Sequence, residues 1–269
     1  MSKPPNLKRA ERQLGTQLRQ IAQAVGAIVE GSYDGSNDSV TDIMDRLERY
    51  ADLIEPWAES VSARLIETLK ISDDAMWRDR SQAISAGLRD IMDSSTGSVV
   101  RSMMSEQVKL FKSLPLEAAD RVYDIHNQAI EAVVSGKRST ELQKEIMRTG
   151  EVAASRARLI ARTEVGRAST AITQARSVAI GSEGYIWRTS EDGDVRPSHA
   201  KMNGKYVRWD SPPTLDGMTG HAGQFPNCRC YPEVVLPHSN IIASNAQLTL
   251  DGMRIASVDG KSVRVRTKA

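Results

Sequence analysis

Aromatic side chains are scarce in this 269-residue chain, at 4% of residues. A packed core must therefore rest on Ala, Leu, Ile, Val and Met, within a hydrophobic content of 40%. Cysteine is scarcer still: Cys228 and Cys230 are the two in the chain, and one residue separates them. A disulfide across so short a loop is strained, which argues against a disulfide-built scaffold. Free thiols or a metal site in a reducing compartment fit the pair better. Net charge is nearly absent too, because 36 basic residues meet 34 acidic ones for a formal +2. No global drive toward nucleic acid or a membrane surface follows from that balance. No run approaches the roughly 18 apolar residues of a membrane span, and Met1-Ser2-Lys3-Pro4-Pro5 leads into charged residues without a signal-peptide core. A cytosolic origin is expected. Neither a Gly-rich phosphate cradle, nor a nucleophile motif, nor an internal repeat is apparent.

What is present is mostly helical periodicity. Leu14, Leu18, Ile21, Val25 and Ile28 recur at helical spacing, and Gly31 to Asn37 breaks the pattern. Ser39 with Asp42 resembles a capping box for a second helix carrying Ile43, Leu47, Tyr50 and Ile54. Pro56 should kink or restart that helix, after which Trp57, Val61, Leu65 and Leu69 continue the stripe. Ser72-Asp73-Asp74 reads as another helix start, Ser94 to Ser98 as a break, and Leu114-Pro115-Leu116-Glu117 as a further start. Gly136 reads as a stop. Ser139 to Met147 and Ala153 to Ile180 complete the helical part, which Gly181 and Gly184 end.

After Gly184 the character changes. Tyr185 to Thr189 and Lys205 to Trp209 read as short strands, with turns at Asp192-Gly193-Asp194 and Asn203-Gly204. Val234 to Leu236 is a candidate third strand. Gln247 to Leu250 and Ser262 to Val265 are weaker ones, ending in a mobile tail that leans basic through Arg254, Lys261, Arg264, Arg266 and Lys268.

Six short motifs appear in order: Lys112-Ser113-Leu114-Pro115, Ala161-Arg162-Thr163-Glu164-Val165, Gly184-Tyr185-Ile186-Trp187, Arg196-Pro197-Ser198-His199, Asn203-Gly204-Lys205 and Asn227-Cys228-Arg229-Cys230. Together, from about Leu110 to Val235, they resemble the bacteriophage Mu protein F-like family of minor head, or head morphogenesis, proteins. The resemblance implies a virion protein of few copies, inside the head near the portal vertex. Its role would be head assembly, with DNA packaging or ejection as further possibilities. It would visit the host cytoplasm during assembly. The portal protein and a major capsid or scaffolding protein would be its partners, with packaged DNA touched nonspecifically and no membrane involved. The resemblance also marks Arg162, Glu164, Trp187, Asp194, Arg196, His199, Gly204, Cys228, Arg229 and Cys230 as a structural motif.

Each of these residues has a chemical and a structural reading. His199, His221, Cys228 and Cys230 are the ligand types of a tetrahedral zinc site, which a loop-rich module would gain from most. Cys-x-Cys spacing and two histidines 22 positions apart are unusual for one, so no cofactor is expected and zinc is the alternative. Asp194, His199 and Asn203 are the pieces from which a metal-dependent nuclease or hydrolase would be built. Arg196 and Arg229 invite a DNA-binding reading, whereas arginines beside tight turns more often satisfy carbonyls or a carboxylate such as Asp194. Arg162 or Glu164 is expected to reach the small module, and Glu164 can pair with Arg167 at a spacing of three. Trp187 and Trp209 are expected in its core.

The expectation is an α+β protein: a mainly helical N-terminal region followed by a small β-containing, loop-rich module. Residues 1–110 form a partner-docking helical arm and 111–184 the helical part of the Mu F-like domain. Residues 185–238 form the β-rich module with Cys228-Arg229-Cys230, and 239–269 a short basic tail. The function is structural and non-enzymatic. The alternatives are a metal-dependent enzyme or an internal DNA-binding virion protein.

Overall fold

A computed structural model describes residues 7–80, 86–134, 140–236, 248–250, 253–255 and 265–267. The architecture is α+β, helical first and then built of short antiparallel strands. Helices α1 (Lys8–Ser32), α2 (Asn37–Leu53), α3 (Glu55–Arg80), α4 (Ala86–Val134), α5 (Thr140–Met147) and α6 (Thr149–Ala179) come before the first strand. Among the described residues no helix is long and apolar enough to cross a membrane. The residues form two compact units: Lys8–Ile66 with Met103–Arg162, and Glu67–Ser102 with Thr163 onward.

The first unit is helical. Leu14, Leu18, Ile21, Val25 and Val29 bury one face of α1, Ile43 and Leu47 do so on α2, and Phe111, Leu114 and Val122 on α4. This is the stripe that 3.6-residue periodicity requires. Helix α2 is capped one turn earlier than the Ser39/Asp42 pair implies, because Ser36 is the N-cap and its hydroxyl accepts from the Ser39 N–H. Asp34 accepts the Ser36 N–H, and these hydroxyl and amide donors hold its carboxyl down at about 2. Pro56 sits in the first turn of α3, where its missing N–H costs nothing, so the helix restarts there after Ile54. Near Gly26 the backbones of α1 and α6 approach closely: a Cβ on Gly150 would lie 2.7 Å from Gly26 Cα. Only glycine fits that crossing.

Three expected helix boundaries are not boundaries. Helix α3 runs through Ser72-Asp73-Asp74, because Asp73 is an internal anchor rather than a cap. Its carboxylate accepts from Trp77 Nε1 at 2.9 Å, Thr173 Oγ1 at 2.7 Å and Arg176 Nη1 at 2.7 Å, all within the second unit. Helix α4 runs through Ser94 to Ser98 and through Pro115. The burial of Phe111, Leu114, Ala118 and Ala119 on both sides of the proline favours continuity over the lost backbone bond. The Gly136 stop lies outside the described residues, as does the end of the tail.

The second unit holds the sheet. Strand β1 (Gly184–Arg188) is central, with β2 (Tyr206–Arg208) and β5 (Tyr231–Val234) antiparallel on either side. The outer strand thus begins three residues earlier than Val234. Pro232 is tolerated there because β5 is an edge strand. Tyr185 faces Val207 on one side and Val234 on the other, and every residue of β1 is buried. A Cβ on Gly184 would strike the Val207 carbonyl and the Tyr206 ring, so the strand must start on glycine. A one-turn helix, α7 (Pro197–Ala200), and a small hairpin, β3 (Thr214–Leu215) with β4 (Met218–Thr219), fill the connections. Neither was legible in the sequence. Strands β6 (Leu248–Leu250), β7 (Met253–Ile255) and β8 (Val265–Thr267) pair in that order as a separate antiparallel meander.

Trp187, Trp209, Tyr185, Phe225, Val207, Val234, Cys228 and Cys230 form one buried cluster, joined by Trp77 from α3. The few aromatics of the chain are thus concentrated where a small sheet has least area to bury.

Candidate functional site

The turn at Asn203-Gly204 folds back on β1. Gly204 has φ 79° and its N–H donates to the Trp187 carbonyl, while Trp187 N–H donates to the Lys205 carbonyl. Asn203 Oδ1 accepts the Thr189 N–H. This fixes the strand behind α7, whose Pro197 start and single turn present His199 inward, 2% exposed. On the opposite side, Asn227 takes the left-handed conformation at φ 57°, which brings Cys228 and Cys230 inward together.

The result is a three-residue group: His199, Cys228 and Cys230, all buried, with ligand atoms within 4.8 Å of one another. His199 Nδ1 lies 3.4 Å from Cys228 Sγ and 3.6 Å from Cys230 Sγ. Cys230 N–H donates to Cys228 Sγ at 3.3 Å. The Cys228 thiol is drawn well below its usual range, first by the Cys230 S–H and then by the backbone N–H groups of Cys230 and Gly223. The Cys230 thiol moves up, first through its hydrogen bond to Cys228 and then through burial. The rings of Phe225 and Trp187 meet the His199 imidazole edge-on, with centroids at 4.9 and 5.6 Å.

His221 does not join the group. Its Nδ1 lies 3.2 Å from Tyr185 Oη, which also accepts the Ala222 N–H, and the Trp209 carbonyl bonds to the ring as well. With both nitrogens occupied and its pKa lowered by burial, it serves as a neutral buried spacer. The proposed nuclease trio also fails to assemble. Asp194 Oδ2 accepts from Arg229 at 2.9 Å, Asn203 holds Thr189, and the potential ligands around His199 are the two cysteines.

The arginines satisfy local acceptors. Arg196 donates to the Pro226 carbonyl at 2.7 Å, and Arg229 bridges Asp192 and Asp194. Arg162 donates to Glu11 at 2.8 Å within the helical unit, and Glu164 pairs with Arg167 at 2.9 Å. Thr163 of that motif reaches the module, its hydroxyl accepting the Asn227 N–H at 3.0 Å. Sequence reasoning missed this residue. It also missed Thr170, which donates to the Ala222 carbonyl at 2.6 Å, and Gly166, whose missing Cβ leaves room for the Gly223 carbonyl. The signal was a stripe of small residues on α6 (Gly166, Thr170, Thr173, Ser177) at helical spacing.

Residues 123–232 match the family described as phage Mu protein F like protein. Over this stretch the chain is similar to the Mu F-like family. The stretch takes in α6, α7, β1 and all three residues of the buried group. An uncharacterised protein of Haemophilus influenzae (strain Rd) is 32% identical over 149 residues, which is 55% of this chain and 32% of that protein. The match thus spans about a third of that relative's length. Minor head protein GP7 of Bacillus phage SPP1 is 22% identical over 256 residues, covering 83% of this chain and 80% of its own length. No solved structure matches the chain.

Proposed function

We propose that the chain is a minor head protein of a tailed bacteriophage, acting in head morphogenesis inside the head at the portal vertex. The observation that carries this reading is the similarity to a minor head protein along 83% of the chain, with the Mu F-like stretch inside it. Its work is assembly by surface burial rather than catalysis. The portal protein is its first partner, a major capsid or scaffolding protein its second, and packaged DNA a nonspecific neighbour.

Helix α4 offers a surface suited to that work. Leu116, Tyr123 and Ile130 recur every seven residues, followed by Val134, and they are 39%, 49%, 41% and 83% exposed. Seven-residue spacing holds side chains on one side of a helix with only a small drift. Exposed Asp120 and Asp124 border this stripe. The fitting occupant is a helix of a head subunit with an apolar seam and basic flanks. Burying what remains exposed of Tyr123 and Ile130 is worth about 1 kcal/mol each. Tyr123→Asp combined with Ile130→Asp should therefore cut incorporation into heads more than tenfold, read by immunoblot of purified particles. The isolated variant should keep the wild-type melting temperature. Unchanged incorporation would count against the docking surface.

A further inference from the structure

We propose that His199, Cys228 and Cys230 bind one zinc ion, which staples α7 to the loop entering β5. This does not rest on the head role. The ligand set is a soft one, and paired thiolates with an imidazole select zinc over hard cations.

The geometry is close to that of a tetrahedral site before any ion is added. With Zn–S near 2.3 Å and Zn–N near 2.05 Å, the S···N edge of a tetrahedron is about 3.6 Å. The two S···N separations are 3.4 and 3.6 Å. Both S···N edges, across intervals of 29 and 31 residues, therefore match the spacing an ion would impose, and all three ligand atoms lie within 4.8 Å of one another.

Burial points the same way. All three side chains are buried among Trp187, Phe225 and Val234, and both cysteines are free rather than joined. A thiol pair and an imidazole gain little by being packed in apolar surroundings unless something satisfies them. The surrounding shell also suits thiolates: Cys230 N–H donates to Cys228 Sγ, and Gly223 offers a second backbone donor to the same sulfur. His199 Nε2 is buried without a partner among the described residues, which leaves Nδ1, facing both sulfurs, as the ligating nitrogen. A fourth position remains that no His, Cys, Asp or Glu of the described residues fills.

The staple has a clear use. The module has one three-stranded sheet and long connections, and an ion bound by the folded state alone would hold the interval from His199 to Cys228 closed and add its binding free energy to stability.

The test uses the full chain, purified without a metal-binding tag and confirmed folded by circular dichroism. Elemental analysis should give one zinc per chain. Removing it with a chelator should lower the melting temperature by about 10 °C, as expected for loss of a tightly bound ion, and added zinc should restore it. Cobalt added to the stripped protein should give the intense visible bands of tetrahedral coordination and a near-ultraviolet thiolate-to-cobalt transition. Cys228→Ser with Cys230→Ser should abolish both metal and spectrum. If that variant does not fold, the cobalt spectrum of the wild-type chain decides. Folded wild-type protein that holds no zinc and gives only the weak bands of six-coordinate cobalt overturns the proposal. So does zinc retained in full by the folded double-serine variant.

Discussion

Replacing Gly166 with alanine tests how α6 carries the module. In an exposed helix interior, glycine to alanine stabilises by about 0.8–1 kcal/mol, because alanine has less backbone freedom to lose. At Gly166 the new Cβ would lie 2.6 Å from the Gly223 carbonyl oxygen and 3.6 Å from that of Cys228. Both atoms are backbone. Gly223 is itself fixed at φ 90°, with Thr170 Oγ1 2.6 Å from where its own Cβ would stand. Neither side can yield cheaply, so the overpacking cost belongs at the upper end of its usual range, about 3 kcal/mol. The cost exceeds the helix gain, and Gly166→Ala should destabilise by about 2 kcal/mol. Gly15→Ala on α1 is the internal control. Its Cβ would meet only Ala161 Cβ at 3.7 Å, an ordinary contact, so that variant should be stabilised by up to about 1 kcal/mol. At roughly 2–4 °C per kcal/mol, the two variants should move the melting temperature in opposite directions by several degrees. Fluorescence of Trp187 and Trp209 follows the module, and circular dichroism follows the helices. A Gly166→Ala protein as stable as the wild type would refute the close approach.

Arg176 donates to Asp73 at 2.7 Å and to Asp74 at 2.6 Å, and its side chain is 2% exposed. Arg176→Met leaves Asp73 buried beside Trp77 and Thr173 without its counter-charge, at a cost of about 3–5 kcal/mol. A melting temperature within 2 °C of wild type, against the expected drop of about 10 °C, would show the pair to be dispensable. Burial pushes the Tyr206 phenol up to about 12 and Tyr185 up as well. The folded state holds those protons more tightly than the unfolded state. Their contribution is complete below pH 10; that of Tyr206 is lost as pH rises through about 12, and that of Tyr185 at still higher pH. An absorbance titration should show at least two of the six tyrosines ionising only as the module unfolds. Free titration of all six near pH 10 would contradict the burial.

The helices of the first unit were legible because their apolar residues follow the helical period without interruption. Their boundaries were less so. Ser72-Asp73-Asp74 carries every local mark of a helix start, yet Asp73 is recruited by Thr173 and Arg176, a hundred or more residues away. Pro115 likewise marks a start only until the burial around it is known. Strands β1 and β2 announced themselves through aromatic and β-branched residues, whereas β3 and β4, two residues each, have no period to detect. In the site, the chemistry of His199, Cys228 and Cys230 was visible in the sequence, but their convergence was not. It depends on the inward turn of α7 and the left-handed Asn227, neither of which leaves a periodic signature. His221 had the right chemistry and the wrong neighbours.

The most direct measurement is quantitative mass spectrometry of filled heads purified from the phage or prophage that encodes this chain. A minor head protein should be present at a few copies per head, in constant ratio to the portal, and heads made without it should be aberrant or non-infectious. Well-formed, infectious heads that contain none of it would contradict the assignment.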